Sequence, residues 1–396
     1  MSVPREAYTS GELFGGTERS GRRRIALATP AWIAVAAALG LSILGLLAIG
    51  TTRPELAARQ GVFLLVGLSA AALVTLASPR VLRLASWATL ATAAALLVFV
   101  LLPFVPRSIV RVRNGARAWI DLGFVDFQPS ELAKIAFILC LAQWLALRGS
   151  PRTLRSLAVP VGLFGLLVGL IVLEPDLGSA LLFGPTLLGI LVAAGARKRH
   201  VLGALLVAAV AAPTAYFALL KPYQRARIDA IVAQIRGDER YERDIGFQGW
   251  RAMRLAGSGG LVGNDAAHAR ALVERNALPE EHNDMVFAVV ACRFGVVGGA
   301  AALLASLAMA ASAALVAGIA RDGFSKLVAV GIGSLLFAQM AVNVGMTIGL
   351  LPITGVTLPF VSYGGSSLVA SWMLVGILVS IGIRPPTGGE KDPFHA

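Results

Sequence analysis

The chain has 396 residues, of which 57% are hydrophobic and 14% charged, and its mean hydropathy is +0.75. This composition lies outside that of soluble globular domains and indicates a membrane protein. The formal charge of +13 does not indicate nucleic-acid binding, because Lys and Arg form short clusters between apolar stretches instead of one basic surface. Cys140 and Cys292 both fall in apolar stretches, so no disulfide framework is expected.

Ten apolar stretches approach the length of about 20 residues that a helix needs to cross a bilayer. They lie near residues 30–52, 61–78, 82–105, 130–147, 157–174, 177–196, 201–220, 284–320, 325–350 and 364–384. We therefore predict an all-α polytopic membrane protein. The eighth stretch is too long for one straight crossing, and Gly295, Gly298 and Gly299 predict a bend in it.

The distribution of Lys and Arg orients these helices, since short cytoplasmic loops are enriched in positive charge. If the N-terminus is cytoplasmic, the inside segments hold 17 Lys and Arg residues and the short outside loops hold six. We predict that both termini are cytoplasmic, with a disordered tail at residues 1–29 and a second cytoplasmic tail at residues 385–396. The transmembrane domain spans residues 30–384 and contains one large extracytoplasmic loop, residues 221–283.

Four polar segments fall on the outer face in this topology. They are NGARAWIDLGFVDFQPSELAK before the fourth span, EPDLGS after the fifth, the large loop with GFQGWRAMRLAGSGGLVG and LPEEHNDMVFAVV, and GLLPITGVTLPFVSYGGSS between the last two spans. Polar groups gathered on one side of a membrane protein are expected when they serve one site. The shared side therefore makes these segments the candidate functional regions.

The first two segments each have a structural and a functional interpretation. Ser130 is predicted to cap the fourth helix, and Glu131 can pair with Lys134 three residues later. The alternative is that the Glu131 and Lys134 pair lines a polar cavity, because charges within a membrane rarely face lipid. Asp176 is predicted to cap the sixth helix. Glu174 has no comparable structural role, because it ends a helix at the negative end of its dipole.

The last segment has two prolines and four glycines in 19 residues and is otherwise largely apolar. Such a backbone must be buried in protein or line a cavity, because lipid cannot pair its N–H and C=O groups. Residues expected to shape this loop are Pro352, Gly355, Pro359, Gly364 and Gly365. Residues that could touch a ligand are Tyr363, Ser366 and Ser367.

The large loop is rich in arginine. Its arginines include Arg225, Arg227, Arg236, Arg240, Arg243, Arg251 and Arg254, with Trp250 among them. One interpretation is a solvated surface or one that binds lipid headgroups, and the other is a pocket for pyrophosphate, since Arg makes forked hydrogen bonds to phosphate oxygens.

The segment LPEEHNDMVFAVV places Glu280, Glu281, His282 and Asp284 at the outer end of the eighth span. Asp284 could simply cap that helix. The alternative is a general base, since partial burial shifts a carboxylate pKa towards the working pH. The four histidines show no metal-ligand spacing, so a zinc site is not expected.

The segment Asn343 to Ser367, together with GARAWIDLGFVDFQPSELAK, EPDLGS, GSGGLVG and LPEEHNDMVFAVV in this order, resembles the shape, elongation, division and sporulation family, which includes RodA, FtsW and SpoVE. The resemblance implies a ten-helix enzyme that polymerises lipid II at the outer face of the bacterial inner membrane, together with a class B penicillin-binding protein. It makes Asp284 the essential aspartate. It implies that a divalent cation, Mg²⁺ or Mn²⁺, supports activity, held by Asp284 or by substrate pyrophosphate, and no organic cofactor.

The resemblance and the residue chemistry together define the candidate site. Its catalytic residue is Asp284. Pro129 is a structural residue of the motif Gln-Pro-Ser-Glu-x-x-Lys, which begins at Gln128. The candidate substrate-binding residues are Glu131, Lys134, Arg225, Arg227, Gln248, His282, Tyr363, Ser366 and Ser367. We expect an inverting displacement in which a sugar 4-hydroxyl attacks C1 and undecaprenyl pyrophosphate leaves.

Several alternatives stay open on the sequence. A lipid II flippase would place ionisable groups along a route to the inner leaflet, and a scaffold for a synthase would not need Asp284. The residues NVGMTIGLLPITGV resemble the RodA members of the family slightly more, which favours an elongation role over a division role. Two departures from the family are Cys292-Arg293, where two acidic residues are usual, and residues 227–246, which lack the usual Pro-rich aromatic form.

Overall fold

The structure is a computed structural model that describes residues 28–113, 116–123, 125–218, 225, 229, 233, 246–320 and 322–384. Its helices are α1 Ala31–Thr52, α2 Pro54–Leu76, α3 Pro79–Leu101, α4 Pro129–Arg148, α5 Ala158–Leu173, α6 Leu177–Ala193, α7 Lys198–Ala218, α8 Phe247–Gly257, α9 Ala266–Asn276, α10 Val286–Ile319, α11 Gly323–Thr347 and α12 Gly365–Gly382. The tails lie outside the described residues.

Each predicted span coincides with one long helix, so the prediction of an all-α polytopic fold is confirmed. Within the described residues, eight helices are long and apolar enough to cross a membrane, and α5 is one of them because the 3-10 turn Arg155–Leu157 extends it to 19 residues. The two other predicted crossings are α6, which is apolar but has only 17 residues, and α7, which has 21. Helices α8 and α9 are short and belong to the large loop.

A small sheet that the sequence did not predict lies before α4. Strands β1 Val110–Arg113, β2 Ala116–Asp121 and β3 Asp126–Phe127 pair antiparallel in the order β1-β2-β3. The sheet forms because alternate side chains on β2, Ala118 and Ile120, are buried while their neighbours are not. Its last strand ends at Phe127, so the sheet holds the chain that enters α4.

The helices differ in what they contact. Helices α4, α11 and α12 are mostly buried inside the protein, whereas α2, α3 and α5 leave large apolar side chains such as Leu76 and Leu84 exposed. Outward apolar side chains on a membrane helix face lipid. Small residues permit close backbone approach between packed helices, and a Cβ added to Gly376 on α12 would lie 2.5 Å from the carbonyl oxygen of Ala71 on α2.

Helix α10 is broken at Gly295, as the glycines predicted. Gly295 has φ 67° and ψ −164°, a conformation that favours glycine, while both flanking segments are helical. The break frees main-chain N–H groups, and those of Val296 and Val297 donate to the carbonyl oxygens of Gly260 at 2.9 Å and Leu261 at 3.1 Å. The turn between α8 and α9 therefore supplies the hydrogen bonds that the broken helix lacks, as a membrane environment requires.

Candidate active site

Three of the predicted polar segments meet at the start of α4. Gln128 precedes this helix, and its main-chain N–H donates to Ser366 Oγ at 3.1 Å while its side-chain Nε2 donates to Asp176 Oδ2 at 2.9 Å. Ser366 belongs to the last polar segment, and Asp176 belongs to the turn after α5. Gln128 therefore joins three segments that are far apart in sequence.

The prediction that Ser130 caps α4 is wrong. The helix begins one residue earlier, at Pro129, because proline is already suited to the first helical position, and Gln128 is its N-cap residue. The Ser130 hydroxyl instead lies 3.5 Å from Asp176 Oδ2 and 3.3 Å from Ser179 Oγ. The prediction for Asp176 is confirmed, since its Oδ1 accepts a hydrogen bond from the Ser179 N–H at 3.0 Å at the start of α6.

The predicted pair between Glu131 and Lys134 is confirmed. Lys134 Nζ donates to Glu131 Oε1 at 2.9 Å, and the two residues are only 4% and 6% exposed. The gap bounded by Lys134, Phe137 and Phe183 has no room for a water molecule. Because each charge is buried against the other, the pair is neutral as a unit and would be costly to break.

Glu174 stands beside this cluster with no structural partner. It is fully buried at the end of α5, and neither of its carboxylate oxygens has a hydrogen-bond partner among the described residues. The prediction that Glu174 lacks a simple structural role therefore agrees with its surroundings.

Asp284 is not the cap of α10. That helix begins at Val286, with Met285 at the N-cap position and no side-chain capping bond. Asp284 is 7% exposed, and its main-chain oxygen accepts a hydrogen bond from Asn343 Nδ2 at 2.7 Å. The same amide group donates to the carbonyl oxygen of Val356 at 2.7 Å. Asn343 therefore holds the turn that carries Asp284 against the last polar segment.

Gly355 lies next to the Asp284 carboxylate. A Cβ added to Gly355 would lie 3.9 Å from Asp284 Oδ2, and the φ of Gly355 is +76°, which favours glycine. The two prolines of this segment, Pro352 and Pro359, lie on either side of Gly355. The predicted shaping role of this segment therefore includes bringing bare backbone against the candidate catalytic carboxylate.

The turn before Asp284 is held from two further directions. The His282 carbonyl oxygen accepts from the Tyr363 N–H at 2.8 Å, and the two rings meet edge to face at 5.7 Å. Glu281 Oε1 accepts from Arg53 Nε at 3.1 Å. Burial raises the pKa of Glu281, but His282, the main-chain N–H of Glu281 and Arg53 stabilise the carboxylate and together lower its pKa to about 2.

The second half of the last polar segment, residues 356–367, is mostly buried in protein, as predicted, whereas Leu350, Leu351 and Gly355 are exposed. The side chain of Gln60 donates to the Ser362 carbonyl oxygen at 2.9 Å and accepts from the Gly364 N–H at 3.2 Å. A Cβ added to Gly365 would lie 2.6 Å from a methyl carbon of Val125, which leaves no room for a side chain there. Protein groups thus satisfy a backbone that lipid could not.

The two serines predicted to touch a ligand make hydrogen bonds inside the protein. Ser366 Oγ accepts from the Gln128 N–H, and Ser367 Oγ lies 3.0 Å from Thr357 Oγ1. Both hydroxyls therefore contribute to joining the outer segments.

The described part of the large loop packs onto the same turn. Gln248 Nε2 donates to the Pro279 carbonyl oxygen at 3.3 Å, and Arg251 Nη1 donates to the Ala277 carbonyl oxygen at 2.8 Å. Arg225 is partly buried. Four arginines of the predicted cluster lie outside the described residues: Arg227, Arg236, Arg240 and Arg243. Gln248 and Arg251 therefore brace residues 277–279, a few positions before Asp284.

Cys292-Arg293, which departs from the family pattern, lies at the break in α10. Arg293 Nη1 donates to the Asn264 carbonyl oxygen, and Asn264 Nδ2 donates to the Cys292 carbonyl oxygen at 2.8 Å. The arginine therefore binds the turn between α8 and α9 at the point where the helix is interrupted.

Asn343, Arg53 and Gln60 belong to this site although no sequence pattern predicts a role for them. Asn343 was only part of a matching segment, and Arg53 was counted only as a charge in an outer loop. Their contacts join residues 59 and 228 positions apart, and no local pattern reports such pairs. Among the described residues, no group of three or more His, Cys, Asp or Glu side chains is placed to hold a metal ion.

Comparisons with known proteins agree with this arrangement. Residues 26–384 match the family model FTSW_RODA_SPOVE, described as a cell cycle protein. The chain is 34% identical over 270 residues to peptidoglycan glycosyltransferase MrdB of Escherichia coli K12, covering 68% of this chain and 72% of that relative. It is 31% identical over 367 residues to the probable peptidoglycan glycosyltransferase FtsW of Coxiella burnetii, covering 89% and 95%.

A solved structure has the same fold. This structure shows the structural coordination of polymerization and crosslinking by a peptidoglycan synthase complex. One of its chains superimposes on this chain with a TM-score of 0.76 at 32% identity. The match covers 90% of this chain and 98% of the other. The chain therefore belongs to the FtsW, RodA and SpoVE family of multi-pass peptidoglycan glycosyltransferases of the bacterial inner membrane.

Proposed function

We propose that this chain polymerises lipid II, the undecaprenyl-pyrophosphoryl disaccharide-pentapeptide, into glycan strands at the outer face of the inner membrane, with Asp284 as the general base. The observation that carries this proposal is the position of Asp284. Its main chain is bound to Asn343 on α11, and its carboxylate lies beside Gly355 in the last polar segment. A carboxylate held on a rigid support beside bare backbone is suited to take a proton from a substrate hydroxyl.

The proposed chemistry is a single displacement. A sugar 4-hydroxyl attacks C1 of the second lipid-linked sugar, the hydroxyl proton passes to the Asp284 carboxylate, and the C1–oxygen bond to undecaprenyl pyrophosphate breaks. One carboxylate is enough for this step, because inversion at C1 needs no covalent enzyme intermediate. The departing pyrophosphate then needs positive charge rather than a second acid.

A divalent cation, Mg²⁺ or Mn²⁺, would supply positive charge to the pyrophosphate when bound. Asp284 or the substrate pyrophosphate would hold it, and pyrophosphate oxygens would have to supply most of the ligands, because the described residues place no group of three acidic, His or Cys ligands together. We therefore propose that any cation enters with the substrate.

We propose that a class B penicillin-binding protein is the partner that crosslinks the product. The similarity to a chain of a synthase complex that coordinates polymerization and crosslinking supports this proposal. We further propose a role in cell elongation rather than division. The residues from Asn343 to Val356 resemble RodA members of the family slightly more, which supports elongation. The similarity to both MrdB and FtsW relatives keeps division as the alternative.

The experiment compares glycan-chain synthesis from lipid II by purified protein in nanodiscs, with its cognate penicillin-binding protein. Asp284→Asn removes the base and keeps the shape, so we expect the rate to fall at least about 100-fold. Glu274→Gln is the matched control, because Glu274 is an exposed acid on α9 of the same outer loop, and we expect more than half of the normal rate.

Equal glycan yield from Asp284→Asn and wild type would refute the general-base assignment. Loss of synthesis by Asp284→Asn, with intact folding and intact partner binding, would exclude a purely scaffolding role. Translocation of lipid II across the bilayer without polymerisation would favour the flippase alternative.

A further inference from the structure

Two arginines from distant parts of the chain lie at the turn between α1 and α2, where Arg53 is part of the turn and Arg270 donates a hydrogen bond to it. Arg53 occupies that turn, and its Nε donates to Glu281 Oε1 at 3.1 Å. Arg270 lies on α9, and its Nε donates to the Thr51 carbonyl oxygen at 2.8 Å. The Arg53 side chain is 52% exposed, and Arg270 is also exposed. We call Arg53 and Arg270 the arginine pair.

Both members of the arginine pair use the same nitrogen for their structural bond. Each is held through Nε, and neither has a hydrogen bond from its terminal amino groups to another described residue. The two terminal amino groups of a guanidinium form a planar fork that matches two oxygens of a phosphate group. The turn therefore presents two oriented forks.

The charges around the arginine pair favour an anion. Glu281 offsets one positive charge, and its low pKa keeps it ionised at neutral pH, so the pair and Glu281 together carry one net positive charge. Other cations near the site are already committed: Lys134 is buried against Glu131, and Arg251 is bound to Ala277. The arginine pair therefore supplies oriented and accessible positive charge at this turn.

The position of the arginine pair matches the height of a lipid-linked phosphate. The turn lies at the outer end of α1, where a membrane helix reaches the headgroup region. Glu281, which orients Arg53, belongs to the same short turn as His282 and Asp284. A pyrophosphate bound at the arginine pair would therefore lie close to the turn that carries the proposed base.

We propose that the arginine pair binds the pyrophosphate of a polyprenyl-linked substrate, one phosphate group to each guanidinium. This inference rests on the proposed function, which requires the enzyme to hold lipid-linked pyrophosphates at its outer face. Glu281 is then a positioning residue that orients Arg53, and the Nε bond from Arg270 to Thr51 orients the second guanidinium.

The test measures binding rather than turnover. Undecaprenyl pyrophosphate is titrated into purified Asp284→Asn protein in nanodiscs of neutral lipid, and its dissociation constant is determined by native mass spectrometry. We expect Arg53→Ala and Arg270→Ala each to weaken binding about 10-fold, and the double variant about 100-fold, because each removes a charge-assisted fork. Arg59→Ala removes an exposed arginine from the same outer region and should change binding less than about twofold.

The Glu281→Gln variant distinguishes two roles of Arg53: binding phosphate, or only holding the α1–α2 turn against Glu281. If Arg53 only ties the α1–α2 turn to Glu281, Glu281→Gln and Arg53→Ala will weaken binding equally, and that result overturns the proposal. If Arg53 binds phosphate, Arg53→Ala will weaken the binding of undecaprenyl pyrophosphate clearly more than Glu281→Gln does, because Glu281→Gln leaves the Arg53 guanidinium in place. Unchanged binding in the double variant would also overturn the proposal.

Phospholipid headgroups carry the same phosphate chemistry, so nanodiscs containing phosphatidylglycerol form a second arm. Loss of bound phosphatidylglycerol in the double variant, with unchanged binding of undecaprenyl pyrophosphate, would assign the arginine pair to headgroups and overturn the proposal. Because every measurement uses a protein without the proposed base, a failure of the general-base assignment would leave the binding result interpretable.

Discussion

Asn343 connects the proposed base to the loop that faces it, and its replacement tests whether this connection supports catalysis. In Asn343→Ala, the carbonyl oxygens of Asp284 and Val356 each lose a hydrogen bond of 2.7 Å at a fully buried position. A buried carbonyl left unpaired costs about 1–3 kcal/mol, so the two together cost about 2–6 kcal/mol. The turn and the loop can recover this energy only by moving apart.

We expect that movement to displace the Asp284 carboxylate. If the displaced position is favoured by the lower end of this range, about 2 kcal/mol, only about one molecule in 30 keeps Asp284 in its productive position, and lipid II polymerisation falls about 30-fold. The assay is the turnover number of purified protein with its cognate partner, measured beside the thermal stability of the same sample.

Thr347→Val is the matched control for Asn343→Ala. Thr347 is also fully buried on α11, but its hydroxyl only donates to the Asn343 carbonyl oxygen within the helix, at 2.9 Å. We expect this variant to keep most of the activity. Wild-type turnover in Asn343→Ala, or an equal loss in both variants, would refute the reasoning.

Two further predictions follow from the break in α10 and from the ion pair between Arg53 and Glu281. Gly295→Ala should lower thermal stability and activity, because the new Cβ would lie 2.4 Å from the Leu261 carbonyl oxygen and the φ of residue 295 is positive. Gly318→Ala on the same helix is the control: its Cβ meets open space, so the melting temperature should not change. The pKa of Glu281 is lowered in the folded protein from 4.5 to about 2, so its stabilising effect is present above about pH 4.5 and is lost as the pH falls towards 2. Wild type should therefore be more thermally stable than Glu281→Gln at pH 7, with the difference shrinking at pH 3; a difference that is constant with pH would contradict an ionic role.

The membrane helices were predictable because their signal is local. A run of apolar residues long enough to cross a bilayer needs no knowledge of its neighbours, and each of the ten predicted stretches contains a helix. The break at Gly295 was predictable for the same reason, since glycine marks it. The small sheet before α4 was missed, because strands of two to six residues carry little periodic signal.

Capping residues were predicted with mixed success. Asp176 does cap α6, but Ser130 does not cap α4 and Asp284 does not cap α10. Ser130, the failed prediction, lies against Asp176 and Ser179, and Asp284, for which a cap was one of two interpretations, lies beside Gly355. Tertiary contacts outweigh a local preference whose magnitude is only about 1 kcal/mol.

The sequence by itself determined that this is a polytopic membrane protein and which family its motifs resemble, and its Lys and Arg distribution predicts on which face its polar segments lie. These properties depend on hydrophobicity, charge and residue order, which are all local. Only the tertiary structure decided that Gln128 joins three segments, that Asn343 holds the Asp284 turn, and that Arg53 meets Glu281. Such contacts arise from how helices pack, and residues as far apart as Gln60 and Gly364, separated by 304 positions, come within hydrogen-bonding distance only after the chain has folded.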